Sequence, residues 1–429
     1  MLQVSRRVLA PIAALGRPFR SLLVSDALML LSLMVGHVAV PWWIAQEGGA
    51  HHLALYAGTL ALGSFVALPL LSPLGDRISK RDLITGGLLL MLLESLVLAV
   101  LAQAGVYSIV WITALELGAV VAMAAIMPAS FSIVAELLPP ERLTEGLGYQ
   151  KSAQALGRML GPVLGGALLA LAGTALALWV HAALLLLACG LASRIVAPAR
   201  AVPGGASAHR WWVDLQAGLA AKWKIPLERG WTFVSFLVMI FFTPGIGMLL
   251  PLKVQSLGLS GAWLGACEAG LSAGMLLGSL GGAVALAQRI GRFRASFGAI
   301  LCEGLCLVGV GLTGLPWLMV LGFAIFGFCI ATVQMVGQTH RMLAMPQDFR
   351  ARMTAVNMMV MQVSGVLGPG LAGVALTLGS VHQVYAAFGA ALFVVGLGYM
   401  LVPGYRAFLE LPHAQAAGHY AREHPALFK

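Results

Sequence analysis

Long apolar runs alternate along the chain with short polar connections, and almost every run has the length of a bilayer-crossing helix. Such a helix needs about 20 mainly apolar residues. Twelve segments meet that requirement: 21–45, 53–75, 83–104, 108–134, 146–172 and 175–195, then 231–254, 262–287, 295–315, 317–343, 354–378 and 381–402. They are referred to as segments 1 to 12. The pattern predicts an all-α membrane protein of twelve transmembrane helices.

The second half repeats the first. Pro139, Glu141, Gly161, Pro162 and Gly166 correspond to Pro346, Asp348, Gly368, Pro369 and Gly373 at one constant offset of 207 residues. This argues for two pseudo-symmetric six-helix bundles, the parallel-repeat plan of secondary transporters. The expected organisation is a basic N-terminal segment (1–20), a first bundle (21–195), a linker (196–230), a second bundle (231–402) and a tail (403–429). In the linker, Trp211, Trp212, Leu215, Leu219 and Trp223 recur every three to four residues. That spacing predicts an amphipathic helix lying on the membrane surface, with Lys222 and Lys224 near anionic headgroups.

Composition agrees with a bilayer as the main solvent. The 429 residues are 60% hydrophobic and only 10% charged, far from the balance of a soluble enzyme. The net charge of +10 could suggest a nucleic-acid partner, but the basic residues sit in short clusters between apolar runs. Arg6, Arg7, Arg17 and Arg20 precede segment 1, Lys80 and Arg81 follow segment 2, and Arg289, Arg292 and Arg294 follow segment 8. Cytoplasmic loops retain Lys and Arg, so both termini are expected in the cytoplasm, with Trp42, Trp43, Trp111, Trp263 and Trp317 in an outer interfacial belt. The five cysteines lie in apolar runs without metal-type spacing, and no nucleophile–base or phosphate-loop motif is present.

Two motifs carry a family resemblance. After segment 2, the run from Ser72 to Arg81 matches the loop pattern Gly-x-Leu-Ala-Asp-Arg-x-Gly-Arg-Lys at Asp76, Arg77, Lys80 and Arg81 and departs from it at Ser72, Gly75 and Ser79. In segment 5, Gly148, Gly157, Gly161, Pro162, Gly165 and Gly166 reproduce an antiporter signature at all six fixed positions. Over nearly its whole length the chain resembles the major facilitator superfamily. Its finer texture, Ser25-Asp26, Val38 to Trp42 and Arg350 to Ala355, resembles the branch of macrolide efflux pumps and bacterial siderophore exporters.

The resemblance implies that Asp76 latches to the far half, with Arg352 as its candidate partner; the alternative is a purely topological anchor. Gly157, Gly161 and Gly165 form a smooth stripe where another backbone can approach, expected here to be the other half. The family plan also has segments 1, 4, 7 and 10 line the cavity, 2, 5, 8 and 11 face the other half, and 3, 6, 9 and 12 lie outside. Segment 4 departs from many proton-coupled members in carrying Glu116 and no Arg.

Charges inside a bilayer cost about 3 kcal/mol or more, so each is a functional candidate. Asp26, His37, Glu116, Met123, Arg158, Glu268, Gln334 and Gln338 are the candidate substrate or proton contacts, whereas Glu94, His181 and Glu303 fall on outer segments and read as packing groups. Asp26 either serves the cavity or pairs with Arg20 near the interface. Arg158 needs a counter-charge, because guanidinium cannot shed its proton; Glu116, Asp26 and Glu268 are the options, for coupling or for structure alone.

The resulting expectation is a monomeric inner-membrane exporter of a small organic molecule, siderophore or drug-like, working by alternating access and proton antiport. It would have no cofactor beyond the transmembrane proton gradient, no nucleic-acid partner and the lipid bilayer around it. Solute uptake or uniport, a lysophospholipid flippase of the same fold and a transport-dead sensor are the rival readings.

Overall fold

A computed structural model describes residues 15–71, 78–195, 216 and 218–427, and among these residues the chain is helical throughout, with no strand. The principal helices are α1 (Arg17–Leu71), α2 (Lys80–Gln103), α3 (Ile109–Leu137), α4 (Leu143–Ala192), α5 (Pro226–Gly247), α6 (Leu249–Ser256), α7 (Gly261–Leu277) and α8 (Ala283–Ile290). They continue with α9 (Arg292–Leu312), α10 (Pro316–Thr332), α11 (Thr339–Ala344), α12 (Gln347–Leu378) and α13 (Val381–Leu397). Three short helices close the chain: α14 (Tyr405–Glu410), α15 (His413–Ala416) and α16 (His419–Glu423). In hydrocarbon every backbone N–H and C=O must find a partner inside the segment, which makes helix the only open-chain solution.

Ten stretches of described helix are long and apolar enough to cross a membrane. Two of them, at 51 and 48 residues, exceed what one crossing needs. Each is broken. α1 turns at Gly49 (φ 64°), between predicted segments 1 and 2, and α4 turns at Ala172 and Gly173 (φ 75°), between segments 5 and 6. Positive φ at Gly49 and Gly173 is a conformation glycine adopts without steric cost. Side chains reinforce several starts: Ser79 and Ser108 accept from the backbone N–H of Asp82 and Trp111, and Ser380 forms a capping box with Gln383.

The chain divides into two compact units. The first comprises Met1–Glu47 and Gly63–Ala206, with a core from Leu22 and Leu30 on α1, Leu88 and Met91 on α2, Ile126 and Ile133 on α3 and Leu185 on α4. The second comprises Gly48–Leu62 and Ser207–Lys429.

Three features of the second unit and its entry bear on the predicted organisation. α5 begins at Pro226, five residues before the predicted span, because proline at the first turn is preset for helix and the early charges Glu228 and Arg229 do not stop it. Within the linker, residues 218–224 are helical; Trp211, Trp212 and Leu215 lie outside the described residues. The tail is docked rather than free: Tyr405, Phe408 and Tyr420 are buried, and the Trp231 and Tyr405 rings meet edge-on at 4.8 Å. Trp42 and Trp43 are buried too, whereas Trp111 and Trp317 are exposed as an interfacial belt requires.

Candidate functional site

In the first unit, Asp26 is the centre of a buried polar knot. Its side chain is 2% exposed. Ser130 Oγ of α3 lies 3.0 Å from Oδ1 and 2.9 Å from Oδ2, and Gln150 and Gln154 of α4 donate to Oδ2 at 2.7 and 3.1 Å. Gln150 Nε2 also reaches the Ser130 carbonyl at 3.0 Å. The carboxylate is therefore held by neutral donors from two further helices and not by Arg20 or Arg158. Arg158 is exposed and makes no ion pair among the described residues, so the buried counter-charge expected for it is not required.

The remaining first-unit candidates are spread out. His37 is exposed, Glu116 is half-buried, and Met123 packs against the hydrophobic core. Glu94 and His181 are buried, in keeping with packing groups; Ser32 Oγ sits 2.7 Å from His181 Nδ1. Asp76 and Arg77 lie outside the described residues, so the proposed latch to Arg352 does too. Lys80 pairs with Glu136 of α3 at 2.6 Å, and Arg81 donates to the Ser193 carbonyl at 2.8 Å. Both motif cations thus tie the ends of α2, α3 and α4 together within one unit.

The glycine stripe packs within its own unit as well, which corrects the expectation that it meets the other half. A Cβ on Gly157 would stand 2.5 Å from the Ala27 carbonyl oxygen of α1, one on Gly161 would overlap Met34, and one on Gly165 would sit 3.3 Å from Val35 Cα. Gly166 and Pro162 are buried beside them, while a Cβ on Gly148 would meet nothing. The repeat-related Gly368 behaves alike in the second unit, where a Cβ would stand 2.6 Å from the Ile240 carbonyl oxygen of α5.

The second unit holds a knot of different chemistry, one that no sequence motif flagged. Glu228, fully buried in the first turn of α5, accepts from Arg341 Nε and Nη2 at 2.8 and 2.7 Å, from Lys222 Nζ at 2.6 Å and from the Tyr420 hydroxyl at 2.7 Å. Lys222 also donates to Asn357 Oδ1 at 2.8 Å, and Arg341 to Thr232 Oγ1 at 2.7 Å. Lys222 is thereby withdrawn from the membrane surface. Its burial, with the Arg341 charge nearby, pushes the ammonium down to about 8 against the pull of Glu228. One carboxylate balances two cations while joining the linker, α5, α11 and the tail.

Glu268 on α7 is half-buried and Glu303 on α9 is buried. Gln334, exposed, and Gln338, half-buried, fall in a widened π-helical turn over Val333–Gln338 between α10 and α11. Such bulges recur at functional positions. Arg352 is half-buried with its guanidinium 4.9 Å from the Phe349 ring centre. Lys253, near the end of predicted segment 7, is buried and donates at 2.7 Å to the Gly311 carbonyl, near the C-terminal end of α9 where a positive charge is favoured.

Helices that are apolar around most of their circumference, glycine-mediated packing and isolated buried polar knots define a multi-pass membrane protein. The sequence model of the Major Facilitator Superfamily matches residues 22–369, and the chain belongs to that family. It is 25% identical over 400 residues to the multidrug efflux pump Tap of Mycobacterium tuberculosis, covering 89% of this chain and 92% of that one. To Tap of Mycolicibacterium fortuitum it is 24% identical over 387 residues, covering 86% and 91%. Among solved structures, the fold resembles the nucleoside transporter NupG at a TM-score of 0.72 and 13% identity, over 90% of this chain and 100% of that one. A bacterial homologue of the human lysosomal transporter Spinster, inward-facing and unoccupied, gives 0.59 at 15% identity, over 94% and 97%. As a member of this family the chain is a transporter, not an enzyme.

Proposed function

We propose that the protein is a secondary active exporter of amphipathic, drug-like organic molecules, with twelve spans in two six-helix halves and both termini in the cytoplasm of a bacterial cell. The observation that carries the reading is near full-length similarity to relatives named as multidrug efflux pumps, which favours a drug-like cargo over a siderophore. The breaks in α1 and α4 support the span count, since dividing these two helices turns ten long stretches into twelve. The transporter acts as a monomer by alternating access, and the proton gradient supplies the energy.

Asp26 and Glu116 are the proposed proton carriers. Asp26 is suited to the role because neutral donors support its charge while burial opposes it, so small shifts between helices would change its proton affinity. His37, Glu268, Gln334 and Gln338 are the proposed cargo contacts.

The test is efflux of a fluorescent organic cation such as ethidium from proteoliposomes under an imposed pH gradient. Wild-type protein should move the dye against its gradient, and Asp26→Asn or Glu116→Gln should lose dependence on ΔpH. Full ΔpH dependence in both variants would remove these residues from the coupling path, and no dye movement by wild-type protein would remove the drug-like cargo.

A further inference from the structure

An open groove runs along the second unit between the linker helix, α5 and α12, with a volume of about 560 Å³. Its walls are apolar: Phe233, Phe236, Val360 and Val363 extend along it. Phe233 is 61% exposed and Trp223, also in the lining, is 67% exposed. Aromatic surface of this extent is stable in contact with lipid and costly against water.

The ionisable lining of the groove is of one sign. Lys222 and Arg229 are its two ionisable lining residues, and both are cations. Arg229 is exposed and places its guanidinium 5.8 Å from the centre of the Trp223 ring, while Lys224 next door is exposed as well. Beneath them lies the Glu228 knot, in which one carboxylate answers both Lys222 and Arg341. The four oxygen-directed contacts already made by Glu228 leave it no capacity to neutralise Arg229. A positive lining backed by an excess of buried positive charge, continuous with an apolar trough, is complementary to an anionic head carrying an acyl chain.

We infer that this groove is a binding site for an anionic phospholipid. The headgroup phosphate is held by the Arg229 guanidinium and the Trp223 indole N–H, and an acyl chain lies along Phe233, Phe236, Val360 and Val363. Because the linker helix, α5 and α12 all line the site, the bound lipid adds a shared contact among these three elements. The assignment stands on the groove alone and is independent of the cargo proposed above.

The experiment reconstitutes the full chain in phosphatidylcholine liposomes doped with photoactivatable phosphatidylglycerol or photoactivatable phosphatidylcholine and maps cross-linked peptides by mass spectrometry. Phosphatidylglycerol should label 219–236 and 356–363 at least about fivefold more than phosphatidylcholine, as expected for about one cation's worth of attraction. Arg229→Glu should abolish that preference, and Val360→Trp, which fills the trough without changing charge, should reduce labelling by both lipids. Should Arg229→Glu fail to give monodisperse protein, the wild-type preference and Val360→Trp decide the matter. Equal labelling by the two lipids, or labelling indifferent to these substitutions, would overturn the assignment. Protection by ethidium without selective lipid labelling would also overturn it, making the groove a cargo site. Labelling needs no transport, so loss of labelling with intact efflux rejects this site alone, while labelling without efflux rejects the exporter reading alone.

Discussion

The buried polar knots of the two units invite comparison because related positions contribute to both. Gln150 on α4 donates to Asp26, and Asn357 on α12, its counterpart at the 207-residue repeat offset, accepts from Lys222 of the linker helix. Around them the chemistry diverges. The first knot is a single carboxylate among uncharged donors; the second is a carboxylate gripped by two cations and a tyrosine. Burying an ion pair is not itself strongly stabilising, but removing one member strands the others without solvent. The Glu228 knot therefore suits a fixed fastening for the linker and tail, whereas the Asp26 knot can lose its charge without stranding any other. The duplicated glycines make the opposite point: Gly161 and Gly368 each admit a helix of their own unit, α1 and α5, so packing was retained where electrostatics was not.

Breaking the ionic knot should have the largest consequence. Glu228→Gln leaves Lys222 and Arg341 facing each other without an anion, and the loss should be about 3–5 kcal/mol, read as a steep fall in melting temperature in detergent. A variant that melts like the wild type would show that the knot is not a fastening. Next come the glycines: Gly161→Leu and Gly368→Leu should each cost about 1–3 kcal/mol by overpacking against α1 and α5. Similar penalties would affirm that the two positions are equivalent, and a penalty at only one would end the equivalence.

Asp26→Asn sharpens the contrast, since an amide retains an acceptor oxygen for Ser130 or Gln150. It should cost only about 1 kcal/mol and yet remove the ΔpH dependence of efflux. The last comparison concerns Lys222 and is read as a pH response. With its proton affinity lowered in the folded state to about 8, below the ordinary value of 10.5, the unfolded chain binds more protons between those limits. Its contribution to stability should therefore rise with pH across that window. Comparing melting temperatures of the wild type and Lys222→Met from pH 7 to 10 isolates this part, and a parallel pH response in the two would contradict it.

Much of the fold was legible because apolar run length and hydropathy are local properties. The gaps predicted between segments 1 and 2 and between segments 5 and 6 are where Gly49 and Gly173 break the helices, and the constant offset exposed the duplicated glycines. The sites were legible one residue at a time. Asp26 stood out as a carboxylate in an apolar run, but Ser130, Gln150 and Gln154 did not, because polar residues are common on helices and their convergence depends on helix rotation. Lys222 was read as a surface cation near anionic headgroups, and Glu228 fell in the predicted linker with no role assigned. The docked tail, carrying Tyr420 and Phe408, is what takes water away from them.

What the sequence by itself determined is the membrane class, the repeat spacing, the family and the places where the two long helices break, since each follows from short-range composition, spacing and backbone preference. Tertiary structure alone decided which surface the glycine stripe meets, that Asp26 is held by neutral donors and that Lys222 is a buried counter-ion. Those outcomes depend on distant residues being brought together, Gln150 to Asp26 and Arg341 to Glu228 among them, and on which side chains lose their water when the helices pack.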